Sequence, residues 1–110
     1  MSRFYGMHVS IDNVHPHRVS QVIEAAGQEW EFNDWSRWES NNQFHLESYG
    51  ESYLCGGESE EEFTDRLAAA VWKANGQFCE VRVDATYLEE LPYETHERDV
   101  DDYQRWMAHA

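Results

Sequence analysis

Tyr5, Met7, Val9 and Ile11 alternate with Phe4, Gly6, His8 and Ser10, a period of two that predicts a strand over residues 4–12. Asn13 to Pro16 turns the chain, and Pro16 suits a first helical position. Val19, Val22, Ile23 and Ala26 then fall at i, i+3, i+4 and i+7, which predicts a helix stopped by Gly27 as a C-terminal cap. Residues 28–54 carry no helical period. Their aromatics and the polar cluster Ser40-Asn41-Asn42-Gln43 predict two antiparallel strands joined by a turn. Trp30, Phe32, Trp35 and Trp38 lie on the first arm, and Phe44, Leu46, Tyr49 and Tyr53 on the second. Asn33-Asp34 breaks the alternation of the first arm, so a bulge or bend is expected there.

After the loop Cys55-Gly56-Gly57, Ser59-Glu60-Glu61-Glu62 reads as a capping box with Ser59 as N-cap. Phe63, Leu67, Val71 and Ala74 form a stripe at helical spacing, and Asn75-Gly76 ends it. Acids at its start and Lys73 near its end both suit the helix dipole. Cys79, Val81, Val83 and Ala85 alternate with Phe78, Glu80, Arg82 and Asp84, giving a last strand over residues 77–87. Beyond Leu91-Pro92, Val100, Tyr103, Trp106 and Met107 fall on one side of a third helix.

Strand, helix, strand, strand, helix, strand is the order of the ferredoxin-like split β-α-β (βαββαβ). The expected fold is therefore α+β: a four-stranded antiparallel sheet, two helices on one face, and an extra C-terminal helix. The opposite sheet face would present Phe4, His8, Phe78, Glu80 and Arg82. These aromatics are expected to pack under the C-terminal helix through Val100, Tyr103 and Trp106, or to sit in a dimer interface.

With 110 residues, residues 1–110 make one domain, and a hydrophobic fraction of 41% supplies a core. No apolar run approaches the ~20 residues of a membrane span, and the first residues lack a secretory profile. Two cysteines cannot build a disulfide framework, so a cytoplasmic protein is expected. Charge is the strongest constraint on function. Against 22 acidic residues stand 8 basic ones, a formal net charge of −14, which excludes a generic nucleic-acid binder. The excess concentrates at Glu58 to Glu62 and between Glu89 and Asp102. Seven of the eight cations are arginine, which suits internal ion pairs and would leave the remaining acid facing solvent.

Candidate chemistry is sparse. His15-Pro16-His17 and His8 lack the convergent spacing of a zinc site, and no C-x-x-C or H-E-x-x-H occurs, so neither metal nor cofactor is expected. Cys55, with His45 or His96 as base, is the one candidate nucleophile, without a local signature to fix its geometry. Glu80 and Asp84 share a strand face but stand about 13 Å apart, beyond the roughly 6.5–9.5 Å of paired glycosidase carboxylates. A non-enzymatic role is expected.

What remains is the acidic surface. Helical carboxylates at i and i+4 lie about 6 Å apart, comparable with the step between phosphates along a strand. Glu58 with Glu62 and Glu61 with Asp65 offer such rows, and Asp99 with the neighbouring Asp102 adds a pair at i and i+3. A small, strongly acidic, aromatic-rich single domain resembles, in composition and without any shared motif, the DNA-mimic and anti-defence proteins of phages and plasmids. That likeness implies an inhibitor or adaptor that binds a basic, nucleic-acid-handling protein. One half of the binding face would be Glu58, Glu60, Glu61, Glu62 and Asp65. The other would be Glu89, Glu90, Glu94, Glu97, Asp99, Asp101 and Asp102. The alternative is a small partner- or ligand-binding module, with self-association open to it. It would use the aromatic sheet face around Phe4, His8, Phe78 and Arg82, and the acid would be a solvated surface.

Overall fold

The computed structural model of the protein describes residues 2–90 and 92–109. In chain order its elements are β1 (Arg3–Val14), α1 (Val19–Glu29), β2 (Ser36–Ser40), β3 (Gln43–Leu54), α2 (Glu60–Asn75), β4 (Glu80–Tyr87), β5 (Glu94–Arg98) and α3 (Val100–His109). The fold is α+β, with one five-stranded antiparallel sheet in the order β2-β3-β1-β4-β5. The expected sheet of four strands is thus corrected to five.

Period two governs the centre of the sheet. Tyr5, Met7, Val9 and Ile11 of β1 are buried beside Val81, Val83 and Ala85 of β4, and all join one core with Val22 and Ala26 of α1 and Phe63, Leu67 and Val71 of α2. Both of these helices therefore cover the same sheet face, and they pack on each other. Two asparagines with positive φ, Asn41 (53°) and Asn42 (62°), make the tight turn between β2 and β3, the geometry that matches strand twist in a two-residue hairpin. Asn13 (φ 70°) marks the register shift between Ile11 and Val14 in β1.

Helix α2 forms as its sequence directs. The Ser59 side chain accepts from the Glu62 N–H, the Glu62 carboxylate accepts from the Ser59 N–H, and Gly76 closes the helix in the left-handed conformation. Helix α1 departs from expectation. It begins after Pro16, at Val19, and runs through Gly27 to Glu29, because Trp30 rather than glycine supplies the cap. The Trp30 indole is buried and donates to the Gly50 carbonyl at 2.9 Å. Tertiary anchoring of the next residue outweighs the weak stop signal of one glycine.

Three more expectations need correction. The first aromatic arm pairs only over Ser36–Ser40, while residues 31–35 cross β3 outside the sheet, with Phe32 and Trp35 packed against the core. The last central strand starts at Glu80 rather than residue 77, although Cys79 is already buried. Lastly, Glu94–Arg98 is a strand that no apolar alternation announces. It pairs with β4 at the sheet edge, where charged side chains deter pairing with another chain. Among the described residues, no helix is long and apolar enough to cross a membrane.

Candidate functional site

The register of β5 against β4 points Glu94, His96 and Arg98 toward α2, and Thr95 and Glu97 toward the uncovered face. Helix α2 answers with its acidic first turns. His96 Nε2–H donates to Glu60 Oε1 at 2.8 Å and Nδ1–H to Glu61 Oε1 at 2.6 Å. Engaging two carboxylates with two donors requires the imidazolium. Burial acts to lower the His96 pKa, but the bonds to Glu60 and Glu61 outweigh it and the net direction is up. The Tyr5 hydroxyl donates to the other Glu60 oxygen at 2.7 Å. Burial first, then this bond, pushes the Tyr5 phenol up to about 12.

One turn further, Arg98 is buried and bridges Asp65 (2.7 Å) and Glu61 (2.9 Å). The Glu61 carboxyl is held below the ordinary carboxylate range, chiefly by the His96 hydrogen bond and also by Arg98. Asp99 and Asp102 cap α3 reciprocally, each side chain accepting from the other's N–H, and Asp102 also pairs with Arg105. Beside this seam lies an open cleft of about 550 Å³ bordered by Glu61, Asp65, Trp72, Arg98, Asp102 and Trp106. The Trp72 indole donates to the Cys79 carbonyl at 2.7 Å, and its ring packs on Tyr103 and Trp106 of α3.

The carboxylates expected on a binding face therefore divide into two groups. Glu58 grips Arg66 through both oxygens, Glu60, Glu61 and Asp65 hold His96 and Arg98, and Glu62 caps α2. Of the two expected rows on this helix, Glu61 with Asp65 does lie along α2, but Arg98 sits between them; Glu58 precedes the N-cap Ser59, so it forms no helical row with Glu62, and Arg66 neutralises it. On the other side, Glu89 accepts from the Tyr87 hydroxyl, and Asp99 and Asp102 are caps. Glu90, Glu94, Glu97 and Asp101 are exposed and make no ion pair or side-chain hydrogen bond among the described residues. The first half of the expected face is engaged within the chain, and most of the second half borders β5.

The uncovered sheet face also differs from its sequence outline. Phe4 is there, with its ring 4.9 Å from that of Tyr53, and so are His8 and Arg82. Phe78 is not: it precedes β4 and packs on Tyr103 under α3. Among the described residues, Phe78 meets the C-terminal helix through Tyr103, whereas Phe4 packs on Tyr53 instead. His8 lies between Glu47 (2.6 Å) and Asp84 (3.5 Å), while His45 meets Asp12 at 3.0 Å and stacks on Trp38. The Tyr49 ring covers Gly6, where an added Cβ would fall 2.0 Å from the Tyr49 oxygen. Exposed Trp38 and Tyr53 thus stand among Asp12, Glu47, Glu51 and Asp84.

Among the described residues, neither cysteine is joined to a base. Cys79 is buried, and burial pushes its thiol up to about 12, so it stays protonated. Cys55 is exposed with Ser2 and the Tyr53 carbonyl as its neighbours, while His45 and His96 are bonded to carboxylates elsewhere. His15 accepts on Nδ1 from the His17 N–H, which ties up one of the nitrogens a metal there would need. His96 was visible in the sequence only as a distant base. The available signal was its period-two spacing to Arg98 within an acidic run, which places both on one side if that run is a strand.

Comparison with protein-family models, with characterised proteins and with solved structures gives no match to this chain.

Proposed function

We propose that this chain is a non-enzymatic acidic binding protein of the cytoplasm. It docks onto a basic surface of a nucleic-acid-handling protein, in the manner of a DNA mimic or anti-defence inhibitor. The observation that carries the reading is the division of the carboxylates. Glu60, Glu61 and Asp65 are committed to His96 and Arg98, whereas Glu90, Glu94, Glu97 and Asp101 border β5 without internal partners among the described residues. Such exposed like charges repel one another within the fold. They lose that repulsion when lysine and arginine arrive, forming charge-assisted bonds and steering the encounter. The engaged acids act differently, fixing β5 on α2 and so holding the outer acids in place.

The same reading takes β2-β3-β1-β4 with α1 and α2 as a ferredoxin-like split β-α-β frame to which β5 and α3 are added. A second reading has an observation of its own. Trp38 and Tyr53 are exposed on the uncovered sheet face, with Phe4 packed on Tyr53, and aromatic side chains serve as interface anchors.

The test is capture of host proteins on immobilised chain, followed by a salt gradient and a challenge with duplex DNA. A basic nucleic-acid enzyme released by both salt and DNA is the expected result. A partner held through high salt and indifferent to DNA would overturn the acidic reading in favour of the aromatic face.

A further inference from the structure

Independently of what the chain docks onto, the seam between α2 and β5 contains a mixed nitrogen and oxygen donor set. One ligand atom each from Glu60, Glu94 and His96 lies within 4.8 Å of the others. Donors on two different elements converge here, and the His96 side chain is only 9% exposed, so its ring orientation is set by packing. Nδ1–H points at Glu61 Oε1, 2.6 Å away, which leaves Nε2 as the nitrogen directed at Glu60. A carboxylate on the far ring nitrogen is the arrangement that fixes tautomer and orientation in histidines that ligate metals. Tyr5 does the same for Glu60, holding its Oε2 and presenting Oε1 toward His96. The Glu94 carboxylate makes no hydrogen bond or ion pair among the described residues and is free to close the set.

We propose that His96 Nε2, Glu60 and Glu94 form a binding site for a divalent transition-metal ion of the Zn2+ class, with Glu61 and Tyr5 orienting the ligands. The metal takes the place of the Nε2 proton, and the two carboxylates balance its charge. Metal–ligand bonds of about 2.0–2.2 Å in tetrahedral geometry need donors farther apart than the 2.8 Å between His96 Nε2 and Glu60 Oε1. A small rotation of the exposed Glu94 and a slight withdrawal of Glu60 supply the room. Three protein ligands leave a fourth position for water or for a donor from a partner. An imidazole in the set selects against Mg2+ and Ca2+, which prefer oxygen alone.

Calorimetric titration of the full chain with ZnCl2, and visible absorption with Co2+, test the site. Glu94→Gln is the informative variant, because Glu94 holds nothing in the fold. Wild type should bind one equivalent of Zn2+ in the presence of millimolar Mg2+. Glu94→Gln should weaken that binding tenfold or more, and Glu61→Gln should weaken it about 10–100-fold, as loss of an orienting partner does. The double variant His15→Ala/His17→Ala should bind as wild type. The site is overturned if no stoichiometric Zn2+ binds, if Mg2+ displaces it, if Glu94→Gln binds as well as wild type, or if the His15/His17 variant abolishes binding.

Discussion

Gly50→Ala should destabilise the protein by about 3 kcal/mol, a large effect for adding one methyl group. Gly50 sits in β3 on the helix-facing side, opposite Met7. The segment after α1 crosses it so closely that an added Cβ would lie 1.9 Å from the Glu31 carbonyl oxygen and 2.9 Å from the Phe32 Cα. These are backbone atoms, so no rotamer change relieves the clash and the crossing segment must lift. Lifting it withdraws Trp30, whose indole donates to the Gly50 carbonyl and whose ring packs edge-on against Phe63 in the core. The matched control is Gly27→Ala. Gly27 lies within α1 with nothing within 4 Å of an added Cβ, so alanine there should stabilise by about 0.5–1 kcal/mol. Urea denaturation of the two variants reads both signs. Equal stability of Gly50→Ala and wild type would mean that residues 31–35 do not run over β3.

Trp72→Ala should cost about 4 kcal/mol, within the range for removing a buried tryptophan, and should free α3. No residue of α3 is itself buried, so the helix is held mainly by the aromatic cluster of Trp72, Phe78, Tyr103 and Trp106. Removing Trp72 takes away the centre of that cluster and leaves the Cys79 carbonyl without its indole donor. Trypsin cleavage after Arg105 should accelerate sharply in Trp72→Ala. In Trp72→Phe, which retains ring packing without the N–H, cleavage should change far less. Unchanged cleavage in Trp72→Ala would show that α3 is held by something other than this cluster.

Where local chemistry alone decides an element, the residues disclose it. The Ser59–Glu62 box, the Phe63-Leu67-Val71 stripe and the Gly76 cap lie within one helix and act at short range. Tyr5 to Ile11 is likewise legible, because one buried face imposes period two. What fails to show in the sequence is whatever depends on contacts far along the chain. Strand β5 has no apolar face, since His96 and Arg98 turn inward to carboxylates more than thirty residues away. The run past Gly27 rests on the Trp30 bond to Gly50, and the break in the first aromatic arm on a crossing that Gly50 permits. The candidate site follows the same rule. Both acidic runs stand out in the sequence, yet which acids are engaged depends on where Arg66 and Arg98 lie in space.

The docking proposal rests on that division, and reversing charge at the unpartnered carboxylates near β5, against an equal reversal elsewhere on the surface, puts it to the test. The triple variant Glu90→Lys/Glu97→Lys/Asp101→Lys alters carboxylates that border β5, leaving out Glu94 so that metal binding is not disturbed. A second triple, Glu24→Lys/Asp34→Lys/Glu39→Lys, changes the net charge equally at exposed carboxylates on α1, the crossing segment and β2. Affinity for the captured basic partner, measured at low and moderate salt, should fall on the order of tenfold or more for the first set at low salt, where steering is strongest. It should fall much less for the second, with both variants as stable as wild type. Equal losses in the two variants would reduce the binding to net charge alone, and no loss in the first would contradict a docking surface at β5.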